Sequence, residues 1–187
     1  MYHAPLYWNS LPDGLKSKAL EVHKALKSTG EKIKLVEPEN LHITVKFLGE
    51  VEKEQLEGIK TVLSSIFENK SVFNLKIHGI IYLPNKKFLR TVALSIIDEN
   101  NILKQIVDNI NSSLAKIGIK DDLRDYKAHL TLARVKDLAS KINILLSLMS
   151  FEDINLGEIE VNKFDLMESI LTESGPIYNK IASFALK

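Results

Sequence analysis

The sequence predicts an α+β protein built on largely antiparallel sheet, and three observations carry that expectation. Apolar residues recur at helical spacing in four separated stretches. Between those stretches they alternate at strand spacing, with turn residues at the breaks. No Pro/Gly/Ser-rich linker divides the chain. Its 187 residues, 45% hydrophobic and 26% charged, suit a single domain over 1–187 or two small lobes sharing one core.

The elements follow in order. Residues 11–28 read as a helix, with Leu15, Ala19, Val22 and Leu26 on one face and Gly30 as the stop. Residues 32–36 and 41–48 read as strands. Residues 52–67 return to helical spacing through Leu56, Ile59, Val62, Leu63 and Ile66. Residues 72–82 and 88–97 read as paired strands across Pro84-Asn85-Lys86. A helix is expected from after Asp98 to Gly118, its apolar face carried by Ile102, Leu103, Ile106, Ile110, Leu114 and Ile117. Residues 128–135 read as a strand and 137–149 as a helix opened by Asp137. The tail offers strands near 158–169 and 176–185, separated by Ser174-Gly175-Pro176.

Composition removes several function classes. The formal net charge is +1, so no global field announces a polyanionic partner. Cysteine is absent, which excludes disulfides, thiolate catalysis and cysteine-ligated metals. The longest apolar-rich stretch, Ile142 to Phe151, is too short to span a bilayer. Tyr2-His3-Ala4-Pro5 does not begin a charged-then-apolar leader. The expected state is a cytoplasmic monomer away from membranes. Of the basic residues only Arg90, Arg124 and Arg134 carry a guanidinium, the group that forks a phosphate.

One short pattern occurs twice. His42-Ile43-Thr44-Val45 falls in the strand over 41–48, and His129-Leu130-Thr131-Leu132 in the strand over 128–135. Strand alternation puts His42 and Thr44 on one face and Ile43, Val45 and Phe47 on the other. In the second copy His129 and Thr131 share a face opposite Leu130 and Leu132. A single His-x-Thr on a strand is ordinarily structural. Two copies with matching apolar alternation suit phosphate chemistry. Opening a cyclic phosphodiester needs a base for water and an acid for the departing oxygen, and imidazole near neutrality serves as either. The threonine hydroxyls can donate to the non-bridging oxygens, where charge builds. The scheme requires no metal or cofactor. Arg134 is a further candidate phosphate or RNA contact, with a solvent-facing or structural arginine as the alternative. Strict alternation sets it opposite His129, so it reaches the groove only through a bulge or the strand's end.

The flanks extend the pattern. Pro38-Glu39-Asn40-Leu41-His42-Ile43-Thr44-Val45-Lys46-Phe47-Leu48-Gly49-Glu50 and Tyr126-Lys127-Ala128-His129-Leu130-Thr131-Leu132-Ala133-Arg134 resemble the two motifs of the 2H phosphoesterases. They are most similar to the RNA 2′,3′-cyclic phosphodiesterases, also labelled 2′-5′ RNA ligases. Ser169 to Tyr178 resembles that family's ending. The resemblance implies a bilobal pseudo-twofold fold, two antiparallel sheets facing a central groove with helices outside. It implies metal-independent hydrolysis of an RNA-terminal 2′,3′-cyclic phosphate to a 2′-phosphate, with a weak reverse ligation in some relatives. It gives His42 and His129 the catalytic roles, with His42 as acid. Two positions depart from the pattern: the family opens with a clear apolar strand carrying an aromatic near the groove, whereas the start here, Met1 to Trp8, carries Pro5, which a central strand disfavours, and Ala128 replaces a common proline.

Other residues carry blander expectations. Arg90 begins a strand, and a surface strand end is its ordinary reading, with the groove as the alternative. Arg124 sits in Asp121-Asp122-Leu123-Arg124-Asp125, which reads as a solvated ion pair. His3, His23 and His78 lack a partner pattern, and His23 is expected on the helix surface. Tyr7, Trp8 and Tyr126 could stack a base, though core or rim packing is the default. The partner is thus an RNA 3′ end or a small cyclic phosphate such as ADP-ribose 1″,2″-cyclic phosphate. A non-catalytic RNA-binding module would not need two imidazoles. A histidine metal enzyme would need a third ligand, which neither motif supplies.

Overall fold

A computed structural model describes residues 2–8, 11–120, 126–136, 141–172 and 176–187. Its elements are β1 (Tyr2–Trp8), α1 (Asp13–Ser28), β2 (Ile33–Leu35), β3 (Ile43–Val51), α2 (Leu56–Phe67), β4 (Phe73–Leu83), β5 (Thr91–Ile97), α3 (Ile102–Ala115), β6 (His129–Val135), α4 (Lys141–Leu148), β7 (Asn155–Val161), β8 (Lys163–Leu171) and β9 (Pro176–Ala185). Arg124, Asp137 and Ser174-Gly175 fall outside the described residues.

The strands run in the order β7-β4-β5-β6-β3-β1-β8-β9, with β2 also on β6, and every pairing is antiparallel. The two expected sheets are halves of one curled sheet. They meet where β3 and β6 touch, through the pair Ile43 and Leu130. The order is palindromic about that contact: each motif strand is flanked by the strand that opens its β-α-β unit, β1 for β3 and β5 for β6. The helices cover one face. α1 lies against β6 and β7, and α3 against β3, so each helix backs the other unit's motif strand.

The core follows from strand parity. Ile43 and Val45 on β3 and Leu130 and Leu132 on β6 are fully buried, as the alternation predicts. They join Val22 and Leu26 of α1 and Ile106 and Ile110 of α3 in one continuous core. Further out, Phe67 stacks on Phe164 with ring centres 4.8 Å apart.

Three expectations need correction. The single strand expected near 158–169 is two, β7 and β8, broken after Val161. Pro5 does stand inside a central strand, because β1 lies between β3 and β8. Its missing N–H falls at a break in the ladder. Between His3/Glu50 and Pro5/Phe47 the β3 strand carries one extra residue, and Gly49 there has φ +73°, a conformation that glycine adopts without strain. His23 is buried, not on the surface. Its Nε2 lies 3.0 Å from the Leu132 carbonyl oxygen, to which it donates.

Candidate active site

The two motifs meet at the sheet's centre. With Ile43 opposite Leu130, the antiparallel register carried one residue each way sets His42 beside Thr131 and Thr44 beside His129. The apolar pair is buried on the helix side, so all four polar residues emerge on the open side, each half-buried. Tyr126 ties the arrangement across the strands, its hydroxyl donating to the Thr44 carbonyl at 3.1 Å. It packs against the core at the rim of the site.

Both histidines are held in the same way. His42 Nδ1 is 2.6 Å from the Asn40 carbonyl oxygen, and His129 Nδ1 is 2.7 Å from that of Lys127. A carbonyl only accepts, so each Nδ1 carries the proton and each Nε2 is the nitrogen presented for chemistry. The repeat in the sequence is thus a repeat of hydrogen bonding and tautomer.

Each motif strand bulges just past its threonine. Between β1 and β3 the partners step from Tyr7/Thr44 to Leu6/Lys46, leaving Val45 as the extra residue. Between β5 and β6 they step from Ala93/Thr131 to Val92/Ala133, leaving Leu132 extra. Consecutive residues are then buried, Val45-Lys46 and Leu132-Ala133, and the faces exchange beyond them. Arg134 therefore shares the face of His129 and Thr131; the bulge it needed is present. By the same step Phe47, expected to be buried with Ile43 and Val45, is 56% exposed. Phe47 and Arg134 occupy equivalent positions, five residues past each histidine.

The surroundings distinguish the two imidazoles. His42 stacks on Tyr7 at 4.4 Å between centroids, and the Tyr178 ring stands edge-on to both at 5.6 Å. Burial lowers the His42 pKa below its ordinary value, and the charges of Arg134 and His129 lower it further, against the Asn40 hydrogen bond that raises it. Burial drives the Tyr7 pKa up, aided by Tyr178 and by Asp165, which is 1% exposed and ion-paired to Lys180 at 3.2 Å. In the sequence Tyr178 belongs only to the family-like ending. No local pattern marks it, since it reaches His42 only through the pairing of β9 with β8.

On the other flank, Thr44 and His129 open into a cavity of about 450 Å³ that Arg90, Phe47 and Lys127 also line. His78 lies on β4 and His3 near the outer end of β1, 3.9 Å from Glu50, both away from the motif pair. Among the described residues no group of three or more His, Asp or Glu side chains is placed to hold a metal ion. No described helix is long and apolar enough to cross a membrane.

A family model, the AKAP7 2′5′ RNA ligase-like domain, matches residues 5–186. This chain belongs to that 2′-5′ RNA ligase-like family. Among similar relatives, the RNA 2′,3′-cyclic phosphodiesterase of Methanocaldococcus jannaschii is 37% identical over 171 residues, covering 91% of this chain and 94% of that protein. The protein of the same description from Archaeoglobus fulgidus is 36% identical over 172 residues, covering 92% and 94%. The 2′-5′ RNA ligase-like fold is also seen in two solved structures. TT0787 of Thermus thermophilus superposes with a TM-score of 0.83 at 22% identity, covering 98% of this chain and 97% of its own. Escherichia coli LigT complexed with 3′-AMP gives 0.80 at 20% identity, covering 100% and 98%.

Proposed function

We propose that this chain is a metal-independent RNA 2′,3′-cyclic phosphodiesterase, a cytoplasmic monomer that leaves a 2′-phosphate end. The observation that carries the reading is the matched pair of imidazoles, each with Nδ1 tied to a main-chain carbonyl and each beside the other motif's threonine. The relatives' descriptions point to the same substrate class.

The residues divide the reaction as follows. The cyclic phosphate sits between the two Nε2 atoms. Thr44 and Thr131 donate to its non-bridging oxygens, and Arg134, on the same face, offers a guanidinium to the same group. His129 takes a proton from water as the water oxygen bonds to phosphorus. The bond from phosphorus to the 3′ oxygen breaks, and His42 gives its proton to that oxygen. An imidazolium whose pKa is held down is a strong proton donor, and the bound phosphate anion favours its protonated form. The proton on His42 is thus held best when substrate is present.

The test is incubation with an oligonucleotide ending in 2′,3′-cyclic phosphate, in chelator, followed by identification of the product end. A 2′-phosphate is expected. A 3′-phosphate would show the 2′ oxygen leaving, and dependence on added zinc or manganese would overturn the two-imidazole scheme.

A further inference from the structure

The cavity beside His129 has a composition that the opening of a cyclic phosphate does not use. Beside Thr44 and His129 it is lined by three cationic side chains, Lys46, Arg90 and Lys127, and by no carboxylate among the described residues. Phe47 adds an exposed aromatic wall. Arg90 is fixed at its root: its N–H donates to the Leu83 carbonyl and its own carbonyl accepts from Val135, at 2.9 Å each. Its exposed guanidinium has no ion-pair or hydrogen-bond partner among the described residues. A rooted arginine with an unused planar fork, in a cavity without anions, fits a phosphate oxygen pair.

Position says which phosphate. On β5, Ser95 stands opposite His129 and Thr91 opposite Arg134. Arg134 bears on His42, at the centre of the site. Arg90 lies one residue beyond Thr91, about 16 Å along the strand from Ser95 at about 3.3 Å per residue, a span shared between its own side chain and one nucleotide. A terminal 2′,3′-cyclic phosphate has no chain beyond it, so its only neighbouring phosphorus is joined through the 5′ oxygen of the same ribose.

We propose that Arg90 and the cavity beside His129 form a subsite for the phosphate on the 5′ side of the cyclic-phosphate nucleotide. The inference rests on the cyclic-phosphate reading above. That 5′ phosphate can belong to an RNA phosphodiester or to the pyrophosphate of a dinucleotide-like ligand, and the subsite recognises their common chemistry.

The experiment compares adenosine 2′,3′-cyclic phosphate with the same nucleotide carrying a 5′ phosphate. The wild type should prefer the 5′-phosphorylated substrate by about 5–30-fold in kcat/KM, mostly through KM, as for a partly exposed charge-assisted contact. In Arg90→Gln that ratio should collapse towards one, and Arg90→Lys should recover part of it. Added salt should shrink the ratio in the wild type. Two further substrates separate the sources. A dinucleotide with a neutral methylphosphonate linkage should lose the preference shown by its phosphodiester counterpart if RNA is the ligand. ADP-ribose 1″,2″-cyclic phosphate should show the larger dependence on Arg90 if a pyrophosphate is. A wild-type ratio near one, or an equal loss on both adenosine substrates in Arg90→Gln with an unchanged melting temperature, overturns the subsite. No turnover of any of these cyclic phosphates overturns the hydrolase reading, and the subsite with it.

Discussion

The chemistry of the two histidines depends on what their other nitrogen does. With each Nδ1–H given to a carbonyl two residues back, the rings cannot turn without losing a short hydrogen bond. Replacing His42 or His129 with Ala should reduce turnover of a cyclic-phosphate oligonucleotide by about 10²–10⁴-fold each, since each removes one proton transfer. Far-UV dichroism should be unchanged, because both side chains lie on the open face. Near-wild-type turnover by either variant would sink the two-imidazole scheme. Thr44→Ala and Thr131→Ala should cost less, about 10–10³-fold, because each removes one donor to the phosphate. If both keep wild-type kinetics, the hydroxyls serve only the strands. His42 and His23 also couple to stability. Burial lowers both pKa values below their ordinary value near 6.5. The unfolded chain then takes up protons first as pH falls, so stability present above about pH 6.5 is lost on acidification. The melting temperature should drop between neutral pH and pH 5, and drop less in His23→Gln; a flat profile would show that neither burial matters.

At the scale of elements, the bulges decide which residues face the substrate. Strict alternation expects Phe47 in the core and leaves Arg134 on the wrong side, and both are reversed by one extra residue in each motif strand. No residue type announces those bulges: Val45-Lys46 and Leu132-Ala133 read as ordinary strand, and the extra residue is defined only by the partner's register. The same holds for Pro5, whose place in a central strand depends on the break opposite it near Gly49. His23 departs from the surface expectation for a related reason, since it neighbours Val22 on a helix whose buried face is wider than the apolar stripe. Its role is at the second bulge. The Leu132 carbonyl accepts from His23 Nε2 at 3.0 Å and from the Val36 N–H at 2.9 Å, two bonds on the residue that turns Arg134 to the open face. His23→Leu should therefore raise KM for the cyclic phosphate severalfold while lowering stability by about 1 kcal/mol, the worth of one buried hydrogen bond. His23→Gln, which keeps a donor, should restore KM. Equal kinetics in the Leu and Gln variants would mean that the bulge holds itself.

At the scale of the whole molecule, the palindromic strand order explains why so much was readable and where reading stops. A repeat whose apolar and polar faces match in both copies is visible from sequence, and so are the helices and the paired histidines. What breaks the symmetry is tertiary. Tyr7 from β1 and Tyr178 from β9 enclose His42, while His129 opens into the cavity lined by Arg90. The division between acid and base belongs to this broken symmetry. A pH–rate profile gives the same bell for either division, because its two apparent pKa values belong to the pair. It still reports His42. Removing the Arg134 charge in Arg134→Gln relieves one of the influences holding the His42 pKa down, so one limb of kcat/KM should move to higher pH. The roles separate with a substrate whose 3′ leaving group is acidic enough to depart unaided. On it, a variant lacking the acid recovers much of its rate, and a variant lacking the base does not, since water must still lose its proton. With His42 as acid, His42→Ala should gain at least about tenfold relative to the ordinary substrate, a fraction of the 10²–10⁴ that proton transfer supplies. His129→Ala should stay slow on both. Recovery by His129→Ala instead would reverse the assignment and make the enclosed, deprotonated His42 the base.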